Sequence, residues 1–290
     1  MEISQALREK LLTYQKNEIT EHHIYKNLAE MLKPTENGQI LAQIGEDELR
    51  HYEAWKTYTG EDVAPDKLKI WKYTLISRIF GFTFGIKLME QGEEDAQDSY
   101  EQLLPTIETV DAILQDENDH EEALIAMLDE ERLRYAGSVV LGLNDALVEL
   151  TGTLAGLTLA LQDTQLVALS GSITGIAAAF SMGASEYLST KSEETDKDPI
   201  RASIYTGIAY IITVLILIMP YLFFENYYVC LGLTLSAALL IIASFNYYIA
   251  VAKDEPFKQR FLEMAGLSLG VAGLSFVVGY LIRTFLGIEV

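Results

Sequence analysis

Two short segments of the chain carry a glutamate and a histidine three positions apart: Glu48 with His51, and Glu117 with His120. On an α-helix such residues project from one face, about one turn apart. The other positions on these two faces are mainly apolar: Leu41, Ile44, Trp55 and Tyr58 for the first pair, and Val110, Ile113, Leu124 and Met127 for the second. A carboxylate and an imidazole inside an apolar seam are costly unless something compensates them. The two pairs together therefore predict a shared metal.

Two further glutamates stand alone in similar seams, and each has a tyrosine seven positions on. Glu18 is followed by Tyr25, and Glu93 is followed by Tyr100. We therefore predict metal ligands on four helices: Glu18, Glu48, His51, Glu93, Glu117 and His120. Acidic residues beside them, and Glu149 further along the chain, are second-tier candidates: Glu21, Glu90, Glu94, Glu121 and Glu149. The alternative is a solvated acidic bundle in which the Glu-x-x-His spacing arises by chance.

Two lone glutamates with two Glu-x-x-His pairs resemble the ligand set of ferritin-like di-iron and di-manganese proteins, and residues 1–134 resemble the rubrerythrin branch of that family. The resemblance implies a four-helix bundle with a di-iron centre, with Mn(II) as the alternative cation. All four histidines lie in this segment, and His22 and His23 fall beside Glu21 without an assigned role. The single cysteine, Cys230, rules out an intrachain disulfide and the four-cysteine iron centre that many rubrerythrins carry.

Charge and hydropathy divide the chain near residue 134. Residues 1–134 hold 29 of the 42 acidic residues and 14 of the 21 basic ones, within a chain of net charge −21. An acidic chain argues against a nucleic-acid partner and suits a protein that handles cations. Residues 135–290 are dominated by apolar side chains. We predict an all-α protein of two domains: a cytoplasmic ferritin-like four-helix bundle over 1–134 and a five-helix transmembrane domain over 135–290.

Local signals place the helices of the first domain. The first helix is predicted to span Ser4 to Leu32, and the second is predicted to begin after Thr35 as its cap and to end at Gly60. The segment from residue 65 to residue 104 is long for one bundle helix. Its apolar part, residues 70–89, fits bundle core, a dimer contact, or a basic helix lying on a membrane surface.

The fourth helix is predicted to begin at Pro105, a favoured first-turn residue. No proline or glycine follows before Gly137, so this helix is expected to continue directly into the membrane.

Five apolar segments are long enough to span a bilayer, which takes about 20 residues each. They are Ala136–Leu161, Leu166–Leu188, Ile200–Phe224, Tyr227–Val251 and Phe261–Leu286. Basic residues flank one set of ends: Arg132, Arg134, Lys191, Lys197, Arg201, Lys253, Lys258 and Arg260. The opposite loops contain none, and the far end of the fifth span has only Arg283. The positive-inside rule then places the acidic bundle in the cytoplasm and the C-terminus on the other side.

Two of these spans carry acidic residues. Asp145 and Glu149 sit four apart on the first, and Met182 and Glu186 sit four apart on the second. A charge at the bilayer centre costs about 2.5–3.5 kcal/mol on insertion scales, so such residues are rarely kept for packing alone. A thioether beside a carboxylate suits a borderline metal such as Fe(II) better than Mg²⁺ or Ca²⁺.

The runs Gly142-Leu143-Asn144-Asp145-Ala146-Leu147 and Ser181-Met182-Gly183-Ala184-Ser185-Glu186-Tyr187 resemble the vacuolar iron transporter family. The resemblance implies export of Fe(II) or Mn(II) from the cytosol in exchange for protons, by a homodimer, with Asp145, Met182 and Glu186 on the metal pathway. Ser185 departs from the glycine usual there. The short loop between the second and third spans also lacks the metal-binding helical insertion of plant members, and the N-terminal bundle is expected to take that role.

The sequence is compatible with three functions. The first is a cation exporter whose cytosolic bundle captures or senses iron. The second is a membrane-anchored di-iron ferroxidase or peroxidase, and the third is a metal-responsive interaction protein. Acids inside the first span argue against a mere anchor, and oxidation to Fe(III) would hinder transfer along a divalent pathway. We therefore favour the transporter, located in a prokaryotic cell membrane.

Overall fold

The computed structural model describes residues 5–90, 110–126, 134–193, 197–253 and 255–286. Within these ranges the chain forms ten α-helices and no β-strand, so the all-α prediction is confirmed there. The helices group into two compact units, Met1–Glu130 and Glu131–Val290. The division falls close to the composition change near residue 134.

The first unit begins with two helices, α1 (Gln5–Leu32) and α2 (Glu36–Thr59), which pack along one another. Thr35 caps α2, because its hydroxyl oxygen accepts a hydrogen bond from the Gly38 amide at 3.1 Å. Gly60 ends α2 in the left-handed conformation at a φ of 69°, which glycine adopts readily. Both predicted ends of α2 are confirmed.

A sharp break divides the long segment that follows. α3 (Lys67–Phe80) ends at Gly81, whose φ of 102° and ψ of 151° lie in a region that is essentially open to glycine alone. α4 (Phe82–Glu90) begins directly after it. The sequence pattern did not indicate this break, because an isolated glycine is also tolerated inside helices.

Two apolar clusters lie in the interior formed by the described residues of the first unit, and α5 (Val110–Ala126) contributes to both. The larger cluster consists of Ile24, Tyr25, Leu28, Ala29, Leu41, Ile44, Tyr73, Phe82, Ile86, Met89 and Leu124. The smaller cluster consists of Leu11, Tyr14, Trp55, Val110 and Ile113. The predicted start at Pro105 and the predicted continuation of this helix through residues 127–133 lie outside the described residues.

The second unit contains five helices that are long and apolar enough to cross a membrane. They are α6 (Ala136–Leu161), α7 (Thr164–Ser192), α8 (Pro199–Phe223), α9 (Tyr227–Lys253) and α10 (Phe257–Leu286). The first has the predicted bounds, and the other four differ from prediction by a few residues at their ends. The predicted five-span count is confirmed for the described residues.

Small residues set the close packing of these helices. A Cβ on Gly142 of α6 would lie 2.5 Å from the Thr206 carbonyl oxygen on α8, so the two backbones are in direct contact. Gly171 and Gly175 of α7 likewise pack closely against the side chains of Leu154 and Val214. Other glycines that share this four-residue spacing, at positions 266 and 270, face open space in the single chain.

Candidate metal centre

Three helices bring charged side chains to one level of the first unit. Along α1, α2 and α5 the larger and smaller apolar clusters occupy different turns, and the polar residues lie between them. On α2, for example, Glu48 and His51 lie between Ile44 of the larger cluster and Trp55 of the smaller one. The apolar seams recognised in the sequence therefore enclose the charged level from both sides.

The imidazole of His51 is the centre of this group. Its Nδ1 lies 3.5 Å from Glu18 Oε2, 3.4 Å from Glu48 Oε2 and 3.4 Å from Glu117 Oε1. Four ligand atoms, one from each of these residues, fall within 4.8 Å of one another. Ligands held about 2.1 Å from a metal lie roughly 3–3.4 Å apart, so small shifts would place an ion among these atoms.

Glu48 connects this group to the second predicted pair. While its Oε2 faces His51, its Oε1 lies 3.4 Å from His120 Nδ1. The two imidazole rings are 6.0 Å apart between centroids. One carboxylate thus faces both histidines, which is the arrangement that two neighbouring cations require of a bridging ligand.

Several buried polar atoms that face this centre lack a hydrogen-bond partner. Glu48 Oε2, His51 Nδ1 and His120 Nδ1 are buried and have no hydrogen-bond partner among the described residues. Leaving a buried polar atom unsatisfied costs about 1–3 kcal/mol, and more for a charged group. Glu48 Oε2 and His51 Nδ1 lie in the converging group, and His120 Nδ1 faces the other oxygen of Glu48, so cations bound on the two sides of Glu48 would satisfy all three atoms.

The far sides of both imidazoles are held by aspartates of the opposite helix. His51 Nε2 lies 3.1 Å from Asp116 Oδ2 on α5, and His120 Nε2 lies 3.3 Å from Asp47 Oδ2 on α2. A hydrogen bond from Nε2 to a carboxylate leaves the Nδ1 lone pair directed at the centre, and such contacts orient metal-binding histidines in general. Arg50 bonds to Asp47 and lies 3.6 Å from Asp116 Oδ2, so it links the two aspartates.

These outer contacts were not predicted, although the sequence carries a signal for them. In both segments an aspartate directly precedes the glutamate, giving Asp-Glu-x-x-His twice. Trp55 was predicted only as an apolar seam residue, but its indole N–H also donates to Glu18 Oε1 at 2.9 Å. The donor fixes the orientation of that buried carboxylate.

Burial and close opposite charges shift the pKa values of these residues in opposite directions. Burial raises the pKa of the Glu18 carboxyl to about 7. Burial alone would lower the pKa of His51 and His120, but the facing carboxylates outweigh it and raise both above the ordinary histidine value. The raised pKa values show that the facing carboxylates favour positive charge at the two imidazoles. A divalent cation would supply the same positive charge and release protons on binding.

The remaining candidates of the first unit do not join this group or lie outside the description. Glu93 and Glu94, as well as the side chains of Glu90 and Glu121, lie outside the described residues. Glu21 is half-buried on α1 and is not among the converging residues. His22 is buried with its Nδ1 2.6 Å from the Gly45 carbonyl oxygen, which ties α1 to α2, and His23 packs against it.

The acids of the second unit are dispersed in the single chain. Glu149 accepts a hydrogen bond from the Tyr210 hydroxyl at 3.1 Å, and Glu186 accepts one from the Ser138 hydroxyl at 2.6 Å. Asp145 is half-buried on α6, and Met182 packs at the edge of the interior. Among the described residues 134–286, no three acidic, histidine or cysteine side chains converge as those of the first unit do.

Comparisons with known proteins bear on the second unit. The VIT family model matches residues 136–197, which include Asp145, Met182 and Glu186. Vacuolar iron transporter homolog 1 of Arabidopsis thaliana is 26% identical over 170 residues, covering 51% of this chain and 85% of the relative. Vacuolar iron transporter homolog 4 of the same plant is 26% identical over 143 residues, covering 43% and 72%. Together with the five apolar helices, this likeness identifies the chain as an integral membrane protein with a VIT-like membrane region.

Proposed function

We propose that this protein is a divalent iron transporter, able to take manganese, that exports the cation from the cytosol in exchange for protons. The N-terminal unit captures or senses the metal before transport. The main support for the proposal is that the side chains of Glu18, Glu48, His51 and Glu117 come together in the interior of the first unit. The membrane region of the same chain is VIT-like. The names of the relatives supply iron as the cargo.

The bundle binds two cations in this proposal. The first is held by Glu18, Glu48, His51 and Glu117, whose ligand atoms lie together. The second is held by His120 with the other sides of Glu48 and Glu117, and Glu93 completes it. One imidazole per cation and shared carboxylates make the set that ferritin-like bundles use.

The membrane pathway uses the acids of α6 and α7. Asp145, Met182 and Glu186 contact the cation, as the family resemblance implies, and Glu149 assists in proton exchange. A carboxylate that alternately binds a proton and a cation couples the two fluxes, because a single site cannot hold both. The Tyr210 hydroxyl holds Glu149 in place within the helix packing.

Binding or sensing at the bundle fits this proposal better than enzymatic turnover. Oxidation would convert the cargo to Fe(III), which a pathway for divalent ions handles poorly. The protein acts as a homodimer in a prokaryotic cell membrane, with the N-terminal unit in the cytoplasm and the C-terminus on the opposite side. The basic flanks of the spans support this orientation.

Metal flux into proteoliposomes tests the transport proposal. With a proton gradient imposed, Asp145→Asn should reduce Fe(II) and Mn(II) flux at least tenfold, because an amide cannot exchange a proton for a cation. Glu225→Gln is the matched control, since Glu225 is an exposed loop acid and should leave flux unchanged. Normal flux in Asp145→Asn would overturn the assigned role.

A further inference from the structure

Helix α3 carries an apolar stripe on its outer face. Leu68 is 73% exposed, Trp71 is 63%, Leu75 is 37% and Ile79 is 56%. These residues follow one another at intervals of three or four and so share one face of the helix. The opposite face is anchored in the unit, since Tyr73 and Ser77 are buried. The α3 stripe is thus a continuous apolar surface and not a set of scattered side chains.

Basic residues border the α3 stripe on both sides. At 3.6 residues per turn, Lys67 and Arg78 flank it beside Trp71, and Lys72 flanks it beside Ile79. Residues 67–89 contain five basic residues and no acidic one, in a chain of net charge −21. Within the described ranges no acidic group lies at ion-pair distance from Lys67, Lys69 or Arg78, in contrast to Lys16, Lys33 and Lys56. The surface of α3 is therefore basic, whereas the rest of the first unit is acidic overall.

The helix is held in its exposed orientation by contacts at its N-terminus and with α1. Asp66 caps its first turn by accepting hydrogen bonds from the Leu68 and Lys69 amides, at 3.0 and 3.1 Å. Asn27 of α1 donates to the Thr74 hydroxyl at 3.3 Å. No ordering of α3 is needed before a partner binds, which lowers the cost of binding.

We propose that the α3 stripe docks onto the surface of an anionic lipid bilayer. Tryptophan and leucine on one face with lysine and arginine along its borders are the composition of helices that lie in the membrane interface. The chain is itself anchored by five spans, so lipid is always within reach and even a weak docking is populated. The acidic remainder of the unit is repelled by anionic headgroups, which leaves the basic face of α3 to approach them. The docking does not depend on the metal or on transport.

A second copy of the chain is the competing occupant, because the acidic surface of another bundle would also attract these cations. The two occupants differ in whether acyl chains come close to Trp71. The protein offers a direct probe, since it contains two tryptophans and the other, Trp55, is fully buried.

The test measures tryptophan fluorescence of the full chain in nanodiscs. Discs of phosphatidylglycerol mixed with phosphatidylcholine are compared with discs of phosphatidylcholine alone, each with and without bromine near the glycerol end of the acyl chains. The Trp71→Phe variant reports Trp55 alone, so subtraction isolates Trp71. We expect bromine to quench Trp71 emission at least twofold in the anionic discs and much less in the neutral ones, while Trp55 is unaffected.

Charge variants separate docking from mere proximity. Lys67→Gln with Lys72→Gln removes one cation from each border and should abolish most of the quenching. Lys10→Gln with Lys26→Gln is the matched control, since both lysines are exposed on the same unit, and should leave the quenching intact. Equal quenching in neutral and anionic discs, or its absence in both, would overturn the proposal. So would protection of Trp71 that appears only in discs holding two or more copies, because that result would assign the surface to a second copy.

Discussion

At the residue scale, the two Asp-Glu-x-x-His segments contact each other through their side chains. Each aspartate holds the histidine of the other helix, so Asp116 orients His51 and Asp47 orients His120. Arg50 joins the two aspartates and keeps both carboxylates on the outer side of the imidazoles. The orientation of the atoms that face the candidate centre therefore depends on residues outside it.

Removing one outer carboxylate should weaken metal binding without removing a ligand. We expect Asp116→Ala to lower the affinity for Mn(II) about 10–100-fold, because the His51 ring loses the contact that orients it. Isothermal titration of the full chain in detergent measures this change. Asp111→Ala, at an exposed position on the same helix, should bind Mn(II) as tightly as the unaltered protein. Equal affinities in the two variants would show that Asp116 does not position His51.

Loss of a metal-facing histidine should remove the stabilisation that metal provides. A cation at 100 times its dissociation constant stabilises the native state by about 2.7 kcal/mol, so Mn(II) should raise the melting temperature of the unaltered protein. His51→Ala should lose this rise, whereas His23→Ala, which alters a half-buried histidine outside the group, should keep it. Thermal unfolding with Mn(II) or with chelator measures both. A full Mn(II) response in His51→Ala would exclude this histidine as a ligand.

At the element scale, helical spacing made part of the site predictable. Residues three apart share a face on any helix, so Glu48 with His51 and Glu117 with His120 followed directly from the sequence. Glu18 was predicted to join the site because it lies in an apolar seam of its helix. The crossed aspartate contacts could not be predicted, because they depend on how α2 and α5 are rotated about their axes. The contacts of the acids on α6 and α7 could not be predicted either. Spacing along one helix does not show which residues of the neighbouring helices face it.

The break at Gly81 separates the exposed α3 from the buried α4. Its φ of 102° with a ψ of 151° suits glycine alone, so Gly81→Asn should destabilise the first unit by about 1–3 kcal/mol. Gly60→Asn is the matched control, because a φ of 69° lies in the left-handed region that asparagine tolerates. Chemical unfolding of the full chain carrying Trp71→Phe, followed by the emission of buried Trp55, compares them. Equal stability of the two variants would contradict the strain assigned to position 81.

At the scale of the whole molecule, the charge distribution predicts how the chain crosses the membrane. Six basic residues lie at or near the ends of α7 to α10 that are assigned to the cytoplasm: Lys191, Lys197, Arg201, Lys253, Lys258 and Arg260. The loops at the opposite ends carry none, and the opposite end of α10 carries only Arg283. By the positive-inside rule we therefore predict that the N-terminal unit lies in the cytoplasm.

Cysteine labelling checks this orientation, with the lone Cys230 replaced by serine. A membrane-impermeant maleimide should label Glu225→Cys in intact cells, because that loop is predicted to face outward. It should label Lys197→Cys only after the cells are permeabilised. The reverse pattern would place the N-terminal unit outside and contradict export from the cytosol.

The most direct test of the whole account is anomalous X-ray scattering at the metal edge, on crystals soaked in iron and in manganese. The account predicts one peak among Glu18, Glu48, His51 and Glu117, a second peak beside His120, and metal beside Asp145 in the membrane region. Crystals that bind metal elsewhere, with no anomalous density at His51 or His120, would contradict the metal-handling function.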